Sequence, residues 1–428
     1  MNIYALKFTL RSCLRDLIRG FWARHVIYPK LSKNEHSLSA LEKYLSDINH
    51  HTSNKTNRSN AATVNIISSS TKMMSKDNLI NDPKLYTLPF TLTTILRNKI
   101  STSGSTGRPL TITQDLGTTV REEAFVYRQL RWAGYKHGDR RAWLRGDIVC
   151  GQKPYKGLYG CRDWWSNTLM LSSYHLSPIT AQSYLDALQQ YNPVIIQAYP
   201  SSIYALASWM LANKKTYSGI ALLGIMTSSE TLEVDAQKCI EQAFGCRVYD
   251  WYGQAERVAA IGTCEFGNHH ILTDYGLVEL LSEGNGLFEI IGTGYNNKAM
   301  QINRYRTGDL VKPSTQVCAC KRVFPIVDSI IGRRDKVITL NDGRQISRLG
   351  HLFKDMKNII EGQIVYKGNN HILLRIVPGP LWNERDAQQL LQVLNNRVTG
   401  ITSSIDTVPS IQRGANGKFE FIRIEDET

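Results

Sequence analysis

Apolar and polar positions come in short blocks through the middle of the chain. "NPVIIQAYP" is an apolar run closed by a proline turn, the pattern of a buried strand. "SSIYALASWMLANKK" follows with helical spacing, Ser201 or Ser202 standing at its start as cap. "IALLGIMTSSE" reads as a second strand and loop, "TLEVDAQKCIEQAF" as a helix, and "CRVYDWYG" as a strand ending in glycine. Strand and helix patterns alternate in this way from about residue 110 to 310, which predicts an α/β sheet with helices on its faces.

Beyond residue 331 the texture changes. "DKVITLNDGRQIS" predicts a hairpin turning at Asp-Gly, and "ERDAQQLLQVLNNRV" predicts a helix. The fold class is therefore α/β, with a large multi-layer N-terminal domain over 1–331 and a small α+β C-terminal domain over 332–428. At the other end, "LKFTLRSCLRDLIRGFWARHVIYPKL" places Leu10, Leu14, Leu17 and Phe21 on one helical face and Arg11, Arg15 and Arg19 on another. Two readings follow: the apolar face packs on the protein's own body, or it lies on an anionic membrane surface. Residues 45–76, rich in Ser, Asn and Thr, predict a loose surface excursion.

Composition narrows the partners. The 428 residues are 42% hydrophobic, enough for a substantial core, and the net charge of +14 favours an anionic partner. No basic run interleaved with aromatics supports nucleic-acid binding. No apolar run approaches the roughly 20 residues of a membrane span, and charges interrupt the N-terminal segment too often for a secretion signal. Eight scattered cysteines without such a signal predict a reducing, cytoplasmic setting.

Candidate chemistry starts at "STSGSTGRP" (101–109). Gly104 and Gly107 permit tight turns whose N–H groups converge on an anion; the hydroxyls add donors and Arg108 adds charge. The ending of a Walker loop is missing. Further on stand "YGQAE" after an apparent strand, "YRTGDL", "GRRDKVI" and "NGKFEFIR". Taken singly, each reads first as a turn or a solvated charge.

Their order and spacing resemble the adenylate-forming ligases, the superfamily of acyl-CoA synthetases and adenylation domains. The motifs run from 101 to 418, and within the superfamily the chain is similar to the phenylacetate–CoA ligase-like branch, especially its capsule-polysaccharide-associated members. "YPSSIYALA", "TSSETL", "YGQAE" followed by a Cys/His segment, and "RYRTGD" carry that similarity. The resemblance implies a mobile small domain and a carry-over of roles. Thr102, Ser103, Gly104, Ser105, Thr106, Gly107 and Arg108 would handle the β- and γ-phosphates of ATP. Ser228, Ser229 and Glu230 would border the adenine; Tyr252 and Gly253 would lie beside the nucleotide, with Gln254 near the α-phosphate. Glu256 would bind Mg²⁺, Asp309 the ribose hydroxyls, and Arg333 would support the ribose. Asp335 would be the hinge and Lys418 the catalytic lysine. "MQINRY" departs from the "MP" common before the "RY" pair, but Tyr305 to Asp309 are intact.

The reaction so implied is displacement of pyrophosphate from ATP by a small-molecule carboxylic acid. The acyl group then passes to CoA or to an amine or hydroxyl acceptor in capsule or surface-polymer synthesis. A catalytically silent nucleotide-binding scaffold is the alternative. Tyr199, Trp251 and His175 are candidate walls of the acyl pocket, with ordinary core packing an equal reading. Cys264, His270, Cys318 and Cys320 match no standard zinc ribbon and by spacing alone read as core residues. The resemblance implies instead a structural zinc there, with His269 as the alternative ligand.

Overall fold

The computed structural model describes residues 3–49, 64–67, 73–91, 94, 96–101, 110–151, 154, 157–331, 338–346, 349–353, 356, 358–379, 381–412 and 421–425. Its frame is a thirteen-stranded mixed sheet. The central strands Thr168–Ser172, Arg141–Arg145, Ile195–Ala198, Gly224–Ser228 and Arg247–Gly253 pair parallel, in that order. Parallel neighbours need long crossovers, and the helices Ala181–Tyr191, Pro200–Ala212 and Val234–Phe244 supply them, the last two where the apolar periodicity put them.

After Gly253 the alternation stops, which corrects the reading of strand and helix through 310. Ala260–Thr263, His269–Ile271, Ile326–Ile331, Tyr305–Pro313, Leu287–Gly294 and Gly276–Gly284 continue the sheet antiparallel. Connections as short as those at 254–259 and 285–286 can reach only an antiparallel neighbour. Residues 45–76 are less loose than expected where described. Leu38–Asn49 is helical, and Asn65–Ile67 adds a parallel edge strand to Gly276–Gly284.

The two faces of the parallel strands diverge by the period of two. Leu144, Ile196, Ile225 and Val248 face the crossover helices. Ile195, Met226, Tyr249 and Trp251 face the helix Leu116–Trp132, which buries Ala124, Phe125, Arg128 and Trp132. Asp115 caps that helix, accepting the Thr118 amide at 3.0 Å.

The N-terminal helix Ile3–Arg15 continues through π-helical turns at Asp16–Gly20 and Ala23–Ile27 into Tyr28–Asn34. The sequence had the right faces. The leucine face, however, does not pack on the body: Leu10 is 61% exposed, Leu17 66% and Phe21 54%. The inward face carries Ala5, Phe8, Ser12, Gly20 and Ala23, mostly small residues that let the helix approach closely. Arg15 and Arg19 turn inward with them and line the molecule's main cleft.

One buried ionic network holds these layers in register. Arg128, 1% exposed, forks onto Asp274 at 2.7 and 3.0 Å. Asn34 donates to the same carboxylate, and Trp132 and Arg322 both donate to Glu35. Removing one partner of such a pair strands a buried charge, at a cost of about 3–5 kcal/mol.

A separate four-stranded sheet is built from Thr402–Thr407, His371–Pro378, Ile359–Tyr366 and Ile422–Ile424, with the helix Glu384–Arg397 packed on it. The hairpin Ile338–Thr339 with Gln345–Ile346 turns at Asp342–Gly343, as expected, with Gly343 at φ +78°. Arg397 donates to the Tyr174 hydroxyl at 3.1 Å, so this unit abuts the large sheet's loops.

Candidate functional site

The described motif residues Ser228–Glu230, Tyr252–Glu256 and Asp309 border one cleft of about 1340 Å³. It opens at the C-terminal ends of the parallel strands, the place where open α/β sheets bind ligands. Ser228 ends one strand and is buried; Ser229 follows at φ +75°, a strained conformation for a residue with a Cβ. That turn brings the Ser229 hydroxyl to Arg145, which donates at 2.9 Å. It also brings the Glu230 carboxylate to the Ser201 amide at 2.9 Å. Ser201 and Ser202 are thus inside the first turn of Pro200–Ala212. An acidic side chain from the neighbouring loop satisfies the helix end, not a serine hydroxyl.

The next strand ends at Tyr252–Gly253, and the turn through Gln254 to Glu256 also borders the cleft. The Tyr305 hydroxyl donates to Glu256 Oε1 at 2.8 Å, fixing a carboxylate that is only 8% exposed. "RTGD" is not a hairpin turn. It is a bulge inside the strand Tyr305–Pro313, where the pairing slips between Ile291–Arg306 and Glu289–Leu310. Gly308 takes φ +73° there, and its amide donates to Glu289 at 3.0 Å. The bulge turns Asp309 into the cleft, where the Tyr252 hydroxyl donates to its Oδ2 at 2.9 Å. Burial and the Asp309 charge hold the Tyr252 phenol well above its ordinary pKa, so it stays a donor.

Of the acyl-pocket candidates, Trp251 lines the cleft. His175 and Tyr199 do not. His175 stacks on Tyr159 at 4.3 Å with its Nδ1 against the Ser172 hydroxyl, and burial lowers its pKa to about 4. Tyr199 lies beneath the Arg145 guanidinium, 4.7 Å from its ring centre. Thr102 to Arg108, Arg333, Asp335 and Lys418 lie outside the described residues. Ser101 and Ile331, next to two of these stretches, line the cleft.

Sequence reading missed Arg141, Arg145 and Asp250. The first two were legible in "RAWLR", where Arg141, Trp143 and Arg145 alternate with Ala142 and Leu144 and so share one face. Asp250 accepts from Thr227 at 2.6 Å, and burial pushes its pKa up to about 6.

Behind the cleft, Cys264, His270, Cys318 and Cys320 are all buried, with their ligand atoms within 4.8 Å of one another. The Cys264 and Cys318 sulfurs are 3.5 Å apart, and Cys320 Sγ is 3.3 Å from His270 Nε2. A tetrahedral zinc with Zn–S near 2.3 Å puts its sulfurs about 3.8 Å apart, so this set can close round one ion. His270 Nδ1 donates to the Phe324 carbonyl at 3.0 Å, which turns the Nε2 lone pair toward the thiols. His269 points the other way, into the cleft, its Nδ1 2.9 Å from the Thr263 hydroxyl. Adjacent strand residues face opposite sides, and that sets it aside as a ligand.

The chain is similar in sequence to CapK and to a phenylacetate-coenzyme A ligase. Residues 338–425 match the CapK C-terminal domain family. Protein CapK of Staphylococcus aureus is 24% identical over 300 residues, 69% of this chain and 66% of the relative. Phenylacetate-coenzyme A ligase of Thermus thermophilus is 23% identical over 269 residues, 59% of each. The matches thus span 59–66% of these relatives' lengths. Among solved structures, 2-hydroxyisobutyryl-CoA ligase in its postadenylation state superposes with a TM-score of 0.46 at 16% identity, over 83% of this chain and 80% of that one.

Proposed function

We propose that this chain activates a carboxylic acid as its acyl-adenylate, using ATP and Mg²⁺ and releasing pyrophosphate, and then passes the acyl group to CoA or another acceptor. The observation that carries this reading is the meeting of Ser228–Glu230, Tyr252–Gln254, Glu256 and Asp309 around one cleft. Kinship with a phenylacetate-coenzyme A ligase supports the reaction, and kinship with CapK supports a place in capsule or surface-polymer synthesis. On this reading residues 1–331 form the nucleotide- and acid-binding domain, and 332–428 form a mobile small domain. That domain turns at Asp335 and brings Lys418 to the α-phosphate.

Each group then has a physical task. The Asp309 carboxylate accepts hydrogen bonds from the ribose hydroxyls. Glu256, one oxygen held by Tyr305, offers the other to the cation. Mg²⁺, when bound, neutralises charge on the phosphates and the leaving pyrophosphate. The hydroxyls and amides of 102–108 hold the terminal phosphates. Asp309→Ala is expected to weaken ATP and AMP binding by about 1.5–3 kcal/mol, the value of hydrogen bonds to a charged group. Calorimetry checks it; unchanged affinity counts against the nucleotide site.

The buried thiol and imidazole set is proposed to hold a structural zinc that ties the 264–270 segment to the 318–320 turn, with Cys264, His270, Cys318 and Cys320 as ligands. Elemental analysis is expected to find about one zinc per chain. Cys318→Ser should lose the metal and melt at a lower temperature, with a smaller effect on nucleotide affinity. Stoichiometric zinc in a Cys264→Ser/Cys318→Ser double variant would remove the site.

The exposed stripe Ile3, Leu6, Leu10, Leu14, Leu17 and Phe21, edged by exposed Lys7 and Arg11, is proposed to rest on an anionic membrane surface. The excess positive charge of the chain fits that partner. Among the described residues no helix is long and apolar enough to cross a membrane. Vesicles containing phosphatidylglycerol should carry the protein in flotation, less so at high salt, and Leu10→Glu/Leu17→Glu should stay behind. Equal flotation of the variant, or a stripe occupied by a second copy of the chain in ultracentrifugation, would refute it.

A further inference from the structure

The cleft is larger than one ligand needs. Single small-molecule sites occupy about 300–1,000 Å³, whereas this one measures about 1340 Å³. The nucleotide motifs stand at the strand ends. The remaining space runs back along the same sheet face, roofed by the helix Leu116–Trp132 and by the N-terminal helical segment. This inner chamber is lined by arginine. Arg141 and Arg145 project from the floor strand, and Arg15, Arg19 and Arg24 reach in from the roof.

Acidic groups account for only part of that charge. Arg24 pairs with Asp16 at 2.6 Å and Arg19 with Glu123 at 3.0 Å. Glu122 is taken by Arg257 at 2.6 Å, and Asp250 accepts from Thr227. Asp163, buried beside the chamber, accepts from the Ser12 and Ser166 hydroxyls. His137 also faces the chamber, and burial and Arg24 lower its pKa, which favours the neutral ring.

Three guanidinium groups are left. Among the described residues Arg15, Arg141 and Arg145 have no carboxylate within 4.0 Å. Arg141 meets only neutral acceptors, Gln197 Oε1 at 3.0 Å and Thr168 Oγ1 at 3.3 Å. Arg15 reaches Ser12 Oγ at 3.5 Å, and its Nε is buried without a hydrogen bond. Arg145 bonds Ser229 and lies over the rings of Trp143 and Tyr199. Burial lowers the pKa of Arg141 and the charge of Arg15 adds to that effect, with the more distant Asp163 and Glu123 carboxylates opposing it.

All three side chains are half-buried and lack a carboxylate partner, and a planar guanidinium fork is suited to carboxylate or phosphate oxygens. Arg145 stands at the nucleotide end of the strand. Arg141 is four residues further back on the same face, roughly 13 Å away at the rise of a strand. We propose that the acid activated in this cleft is at least dianionic: one carboxylate reacts at the Arg145 and Trp251 end, and a second carboxylate or phosphate is held by Arg141 and Arg15 at the inner end. This rests on the acid-activating reading above. It makes Arg141 a specificity-determining residue, and it makes a plain fatty acid, with its apolar far end, a poor fit for the chamber.

The test uses the full chain and calorimetry. AMP binding to the wild type is measured first and checks the nucleotide reading by itself. Straight-chain α,ω-dicarboxylates of four to ten carbons, phosphate-terminated acids and monocarboxylates of matched length are then titrated in the presence of AMP. At least one dianion should bind at least tenfold more tightly than its monoanionic match, and Arg141→Met should erase that preference, with Arg141→Lys keeping part of it. Which terminal group wins separates carboxylate from phosphate. Without ligand, Arg141→Met should melt about as high as the wild type, because the half-buried charge it removes has no carboxylate partner; a large fall would mark a merely structural arginine and overturn the proposal. Equal affinity for mono- and dianions, no dianion binding while AMP binds, or a preference that survives Arg141→Met would also overturn it. Failure of AMP itself to bind would instead strike the nucleotide reading.

Discussion

The Arg128–Asp274 pair is the interaction on which the cleft depends. Arg128 belongs to the roof helix, and Asp274 follows the strand His269–Ile271 in the floor sheet. Asn34 and the Leu31 carbonyl bring in the N-terminal segment, and Glu35 carries the network to Arg322, just beyond the cysteine turn. A buried ion pair adds little net stability over an apolar substitute. Its effect here is positional, because another packing of the roof would strand a charge. The spacing between roof and floor, and with it the depth of the cleft, is set at this point.

That spacing lets one sheet face serve two chemistries. At the strand ends a strained Ser229, a bulge at Gly308 and the turn after Gly253 turn polar side chains outward. Further in, the neighbouring strand Arg141–Arg145 turns arginines to the cleft, where a core would ordinarily place aliphatic residues. The opposite face of those strands is ordinary core: Leu144, Ile196, Ile225 and Val248 under three crossover helices. The rigid side supports the reactive side.

The elements with the clearest periodicity were legible in the sequence: the crossover helices Pro200–Ala212 and Val234–Phe244, the Asp342–Gly343 hairpin and the helix Glu384–Arg397. The motifs that meet at the cleft were legible too, but only as an ordered set, because each alone reads as a turn. The direction of the N-terminal helix was not legible. Amphipathic spacing gives two faces without saying which is covered, and here the small residues, not the leucines, are buried. The antiparallel half was hidden because alternating apolar runs do not reveal their pairing. His270 could not be told from His269 until the strand's two sides were fixed. His175 looked like a pocket residue from its neighbours in sequence, yet its ring is occupied by Tyr159.

The central claim is that the cleft activates an acid and does not merely hold a nucleotide. Acid-dependent exchange of pyrophosphate into ATP tests it most directly, run over mono- and dicarboxylic, aryl, amino and phosphorylated acids. The account predicts exchange with at least one acid, none without acid, and none in Asp309→Ala. AMP binding with no exchange for any acid would contradict it and leave a nucleotide-binding scaffold.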